Sequence, residues 1–342
     1  MKPNNPTIYD IASHAKVSKS TVSRVLNGKT NISDESRKRI LEAIKELNYQ
    51  PNKLARALTN SGFDAILVIS RPSNTTAGNP FFSEVIQSIA SYAENEDFDV
   101  IIQTSRNTKE VMEKCLSKIR DKMVRGIIML SSPVNEDYLD ELDKHSIPIA
   151  VIGKVKRNFN NIFSIDTNNF ANSYNLVQHL IDNGHSDIAC LHAPLKYNAA
   201  IDRVDGYKQC LIDNGIPVRE DLIIDCGYSF EDAHERAIQL LQSERLPTAV
   251  FTVDELKIMS FYHAASQLGI SIPQQVSIVG LSNGITPQLL SPPMTGIELP
   301  VSELGKIATD LLFKRIQGQA DTERSIIVPA HLEERKSVQK IK

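Results

Sequence analysis

The chain is poor in cysteine. Its 342 residues include Cys115, Cys190, Cys210 and Cys226, and no two of them form a Cys-x-x-Cys pair. Thiols scattered this way argue against a disulfide framework or a zinc site, and they read as free, mostly buried groups in a reducing cytosol. Long apolar runs are also missing. None approaches the ~20 residues that a membrane-spanning helix needs. Lys2 is not followed by an apolar stretch, so no secretory leader is expected, and the expected location is cytoplasmic. No Gly-x-Gly-x-x-Gly and no phosphate loop follows any strand-like run, so no cofactor is expected. No nucleophile–base–acid set stands out, which argues against an enzyme. There is no short-period repeat and no low-complexity tract.

The N-terminal fifty residues carry a distinct pattern. Thr7-Ile8-Tyr9-Asp10-Ile11-Ala12-Ser13-His14-Ala15 reads as one short helix. Thr7 is its N-cap, and Asp10, three residues on, makes a near capping box. Val17-Ser18-Lys19-Ser20-Thr21-Val22-Ser23-Arg24-Val25-Leu26-Asn27 reads as a second helix, capped by Ser18 and stopped at Asn27-Gly28. Val22, Val25 and Leu26 face inward with Ile11, Ala12 and Val17, and Ala12 and Ala15 allow close approach. Lys19, Ser20, Thr21, Ser23 and Arg24 are left outside. Two short helices so tightly joined are either a plain helical hairpin or a helix-turn-helix that lays its second helix in the DNA major groove. Ser33 then caps a third helix lined by Ile40, Ile44 and Leu47.

Charge favours the second reading. Residues 1–62 carry a net +6 and residues 63–342 a net −9, within an overall −3. A basic head on an acidic body implies a polyanionic partner for the head alone.

Thr-Ile-Tyr-Asp-Ile-Ala followed by Val-Ser-Lys-Ser-Thr-Val-Ser-Arg-Val-Leu-Asn resembles the head of the lactose/galactose repressor family of bacterial transcription factors. Pro51-Asn52-Lys53-Leu54-Ala55-Arg56-Ala57-Leu58 resembles the hinge helix of that family. The resemblance runs essentially end to end and finishes at Glu334-Arg335-Lys336-Ser337. It implies that Lys19, Ser20 and Arg24 reach base edges and that Tyr9, Ser18, Thr21 and Ser23 hold phosphates. It also implies that Asn52, Ala55 and Leu58 work in the minor groove, Leu58 as a wedge. Arg24 suits guanine O6/N7. A hinge of about two turns is not stable alone in water, so it should order only when packed on a second copy and on DNA.

From Phe63 onward, short apolar runs alternate with helical stretches. Strands are expected at 64–70, 99–104, 126–131, 147–153, 187–192, 222–225, 248–252 and 277–280. Helices are expected at 81–93, 109–120, 135–145, 173–183, 207–214, 231–242 and 256–268. Two successive α/β units imply parallel sheets in two lobes with a cleft between them. The expected fold is thus a small all-α helix-turn-helix head and a hinge helix, then a two-lobed α/β core. The family resemblance makes that core similar to periplasmic sugar-binding proteins. The expected domains are 1–50, 51–62 and 63–342. Crossings between lobes near 163, 291 and 323 would give one lobe 63–162 and 292–322, the other 163–291 and 323–342.

Ligands of such sheets bind beyond the carboxyl ends of the strands. Arg203, in Arg203-Val204-Asp205-Gly206-Tyr207, matches the family's Arg-x-x-Gly-Phe/Tyr, whose arginine hydrogen-bonds effector. It is otherwise a helix-start arginine in a surface ion pair. Asp254 is equally an acceptor for sugar hydroxyls or a helix N-cap. Asn79, Phe81, Tyr228 and Asn283 are further effector candidates, and the rings of Phe81, Phe82, Tyr228 and Phe230 could each serve either as a sugar platform or as core. Ser282 and Asn168 stand where many relatives carry acids, and together they imply a neutral polar effector. That pattern resembles the maltose-operon branch, so maltose or a maltodextrin is the expected effector.

The expected protein is a homodimeric repressor that binds palindromic double-stranded DNA and leaves it when sugar enters the cleft. No heptad-rich tail follows residue 335, which favours a dimer over a tail-linked tetramer. The alternative is a catabolite-control-type regulator using a phosphocarrier protein as corepressor. A transport binding protein would need a leader and would lack the basic head.

Overall fold

The computed structural model describes residues 6–26, 32–49, 62–72, 75–76, 78–104, 108–319 and 323–341. It divides into a head, up to Phe63, and a core from Asp64 onward.

Among the described residues, the head holds three helices: α1 (Ile8–His14), α2 (Lys19–Leu26) and α3 (Asp34–Glu46). Thr7 donates to the Asp10 carboxylate through both its amide and its hydroxyl, each at 2.7 Å. Ser18 Oγ accepts from the Thr21 amide at 3.2 Å, and Ser33 Oγ from the Ser36 amide at 3.4 Å. These contacts satisfy amides that a helix start leaves without partners. The α1–α2 turn passes through Lys16, whose φ of 52° is left-handed. Ile11, Ala12, Ala15, Val22, Val25, Ile40 and Ala43 are buried together, with Val17, Ile44 and Leu47 packed around them. The expected stop at Asn27-Gly28 and the expected hinge lie outside the described residues.

The core is built on two six-stranded sheets. The first contains β1 (Ala65–Ile69), β2 (Asp99–Gln103), β3 (Gly126–Met129), β4 (Ile149–Ile152), β5 (Ile162–Asp166) and β11 (Ser325–Ile327), in the order β11-β5-β4-β3-β1-β2. All five pairings are parallel. The second contains β6 (Ile188–His192), β7 (Ile223–Asp225), β8 (Ala249–Thr252), β9 (Ser277–Ser282), β10 (Thr295–Glu298) and β12 (His331–Glu333), in the order β12-β10-β9-β8-β6-β7. Only β12 runs antiparallel. The central strands β1, β3, β4, β6 and β8 are buried throughout, as sheets covered on both faces require.

Helices α4 (Pro80–Asn95), α5 (Thr108–Arg120), α6 (Asp137–Asp143) and α12 (Val301–Ile316) belong with the first sheet. Helices α7 (Asn169–Asp182), α8 (Asn198–Asp213), α9 (Phe230–Leu241), α10 (Glu255–Leu268) and α11 (Thr286–Leu289) follow strands of the second or enter it. Each lobe has its own apolar interior. Burying a single Val, Leu, Ile or Phe contributes about 1.5–3 kcal/mol, so each lobe is well supported by its own core.

The lobe boundaries need correction. The chain leaves the first sheet after Asp166, returns after Glu298 and leaves again after Ile327. The expected crossings at 163, 291 and 323 come too early. They would cut β5 and put β10 and β11 in the wrong lobes. Each of these strands completes its pairing before the chain crosses, because stopping short would leave its amides and carbonyls without partners.

Candidate functional site

The head presents one polar surface. Lys19, Ser20 and Arg24 are exposed on α2, on the side opposite Val22 and Val25. Lys19 Nζ donates to Tyr9 Oη at 3.1 Å and lies 4.7 Å from the centre of that ring. The α1 tyrosine and the α2 lysine thus form one unit. Ser18 Oγ contacts both Ser20 Oγ and Thr21 Oγ1 at 2.8 Å, so the cap also links the hydroxyls of the helix start. Thr21 and Ser23 are half-buried at the edge of the surface. Such a helix N-terminus, with hydroxyls and cations aimed outward, suits a phosphate backbone. Asn52, Ala55 and Leu58 lie outside the described residues.

The core holds a cavity of about 100 Å³ between its lobes. Its walls come from the carboxyl ends of strands in both sheets, where a ligand of such a fold is expected. Of the candidates, Asn79, Phe81, Arg203, Asp254 and Asn283 line it. Arg203 Nε donates to Asn169 Oδ1 at 2.8 Å and Nη1 to the Val253 carbonyl at 2.7 Å. Asn169 Nδ2 in turn donates to Asp166 Oδ1 at 3.0 Å. An amide therefore sits between Arg203 and the Asp166 carboxylate. Burial pushes the Asp166 pKa up to about 6, against the pull of the Thr167 amide, Arg203 and Asn169. Burial also depresses the pKa of Arg203.

Asp254 caps a helix and also borders the cavity. Its Oδ1 accepts from the Lys257 amide at 3.2 Å at the start of α10. Its Oδ2 also pairs at 3.1 Å with Lys257 Nζ, a lysine only 1% exposed. Glu255 Oε2 accepts from the Asn283 amide at 3.0 Å, and burial raises the pKa of its carboxyl.

Three effector candidates do not line the cavity. Asn168 is exposed and is used as the cap of α7, accepting from the Ala171 amide at 3.0 Å. Its neighbour Asn169 faces the cavity instead. Ser282 is buried in β9, and Tyr228 packs against the second-lobe core. The argument for a neutral effector from Asn168 and Ser282 therefore loses both its residues. Phe82 lines the cavity, whereas Phe230 stacks on His234 and His263. Arg71, Asp166, Asn169, Tyr197 and Glu255 also line the cavity, in loops expected to meet ligand, though the sequence singles out none of them individually. The available signal was position, since each lies in a segment just beyond a strand's carboxyl end.

The lobes also touch directly at the rim of the cleft. The Val134 amide donates to the Lys196 carbonyl at 3.2 Å and the Asn198 amide to the Ser132 carbonyl at 3.0 Å. These bonds flank a Pro133–Tyr197 bridge. Lys154 pairs with Asp202 at 3.0 Å, and Asn283 Nδ2 donates to Glu84 Oε2 at 2.8 Å.

Comparison with known proteins decides the family. Residues 7–52 match the bacterial regulatory proteins of the lacI family, and residues 177–338 match a periplasmic binding protein-like domain. Catabolite control protein A of Priestia megaterium is 31% identical over 335 residues, covering 97% of this chain and 99% of that protein. The chain belongs to the LacI family. The transcriptional repressor PurR of Photorhabdus laumondii is likewise 31% identical, covering 97% and 96%. A lac repressor dimer bound to operator and the anti-inducer ONPF superposes with a TM-score of 0.85 at 24% identity, covering 98% of this chain and all of that one. A complex of the regulator CelR with cellobiose gives 0.72 at 25% identity, covering 97% and 99%. This LacI-family chain is a DNA-binding transcriptional repressor and not an enzyme. Among the described residues, no helix is long and apolar enough to cross a membrane.

Proposed function

We propose that this repressor acts in the cytoplasm as a homodimer on a palindromic operator, and that a sugar in the interlobe cleft releases it. The observation carrying this reading is the cavity, where Arg203, Asn169, Asp166, Asn79 and Asn283 border one space with Phe81 beside them. Alternating donors and acceptors next to an apolar ring suit the hydroxyls and the faces of a sugar. In the head, Lys19, Ser20 and Arg24 read base edges, while Tyr9, Ser18, Thr21 and Ser23 hold phosphates and fix the register. Between the two lies the hinge, where Asn52, Ala55 and Leu58 enter the minor groove with Leu58 as the wedge. Effector must favour the form with separated hinges, since a ligand shifts an equilibrium only by its difference in affinity.

Maltose and maltodextrins are the first ligands to test, since the similar regulator CelR is found in complex with the disaccharide cellobiose. The experiment is titration of a labelled operator complex with maltose, maltodextrins, ribose and galactose. Loss of the complex is expected with a sugar. No loss with any sugar would sink the inducer reading.

A second reading has its own support in the 31% identity to catabolite control protein A. In that case a phosphorylated carrier protein would act as corepressor. Retention of the chain by such a carrier, with operator affinity raised rather than lowered, would favour it over sugar induction.

A further inference from the structure

Arg71 stands apart from the other charged groups of the cleft. It leaves the end of β1 and enters the cavity wall. Its guanidinium lies 3.6 Å from the centre of the Tyr197 ring and 5.3 Å from that of Phe82. The rings cover the cation but accept none of its N–H groups in their plane, where a guanidinium makes its strong bonds. Among the described residues no carboxylate lies within ion-pair distance of it, and its buried Nε has no hydrogen-bond partner.

Most other charges of the site have a partner, although the buried Oε1 of Glu255 has none. Asp254 is held by Lys257, and Asp202 by Lys154. Arg203 reaches Asp166 through Asn169. Glu255 takes the Asn283 amide. Burial disfavours the charged form of Arg71; nearby Tyr197, Tyr228 and Asp254 favour it in part, while Arg203 adds like-charge repulsion. A partly buried cation with no acceptor is costly, and truncating a partner from such a group costs far more than a neutral hydrogen bond. The site is one acceptor short, and that acceptor should be negative.

We propose that Arg71 recognises an anionic group on the effector, and that the ligand is an acidic monosaccharide carrying a carboxylate or a phosphate. This rests on the cleft being the effector site. The planar fork of a guanidinium matches either anion through two parallel hydrogen bonds. Arg203, Asp166 and Asn79 remain for ring hydroxyls.

The test is calorimetry of the full chain with glucuronate, glucose 6-phosphate, glucose and maltose, repeated on Arg71→Gln and Arg71→Lys. At least one acid should bind about tenfold or more tighter than glucose, with glucuronate against glucose 6-phosphate separating carboxylate from phosphate. Arg71→Gln should abolish that preference, and Arg71→Lys should keep part of it. If glucose or maltose binds as well as either acid, or if Arg71→Gln keeps the preference, the anion assignment falls while the cleft remains the effector site. If none of the four binds, the sugar reading falls with it.

Discussion

Asp254 and Lys257 form the most deeply buried ion pair with an unshared partner in the cleft wall. Asp254→Ala removes a helix cap, which alone costs about 0.5–2 kcal/mol. It also strands a lysine that is 1% exposed, and breaking a buried pair costs about 3–5 kcal/mol. Urea unfolding should show the larger loss, and Lys257→Met added to Asp254→Ala should restore part of it. A loss of only about 1 kcal/mol would mean that the cap is the whole role of Asp254. Asp166 gives a pH prediction. An unfolded aspartate titrates near 3.9, whereas burial raises Asp166 to about 6. The native state then holds more protons between these values. Stability from this group is therefore present below about pH 4 and lost as pH rises through about 6, on the order of 3 kcal/mol. Asp166→Asn should remove that slope. A difference between the two proteins that stays constant from pH 4 to 7 would contradict it.

At the scale of elements, α7 and α8 meet at Gly206, on the helix that carries Arg203. A methyl group there would overlap the Phe170 carbonyl oxygen and come within 3.1 Å of Ser173 Cβ. Gly206→Ala should push α8 away from α7, at a cost of about 1–3 kcal/mol, and loosen the Arg203–Asn169 bond. Thermal melts and effector calorimetry should move together; unchanged effector affinity would separate helix packing from the site. Helices α1 to α3 were legible in the sequence because each carries a cap and a 3.6-residue apolar period. Strands β1–β4 and β6–β9 were legible as apolar runs. By contrast, β5 and β10 interleave polar residues, and β11 and β12 are three-residue, largely exposed edges that only their partners define. Helix α12 was missed although Val301, Leu304, Ala308, Leu311 and Leu312 fall at helical spacing. Asn168 and Asn169 were indistinguishable until the start of α7 assigned one to capping and the other to the cavity. Arg71 was illegible for another reason. Its significance lies in lacking a partner, and a sequence records residues rather than distances.

At the scale of the whole molecule, the head and the core are separate compact units. Arg24→Ala should lower discrimination between operator and scrambled DNA by about 1–3 kcal/mol and leave effector affinity of the full chain unchanged. Fluorescence anisotropy and calorimetry on the same preparation would check both. A fall in effector affinity would contradict this division of labour.

The rim contact between the lobes has a consequence for how such a protein can change. Its two central bonds join main-chain amides to main-chain carbonyls, Val134 to Lys196 and Asn198 to Ser132. Nearly any side chain preserves such bonds, and proline at 134 or 198 is the substitution that removes a donor. These two bonds use atoms that every amino acid but proline supplies, while the ligand meets atoms that differ from residue to residue. New specificities can therefore be engineered into the pocket without redesigning the latch.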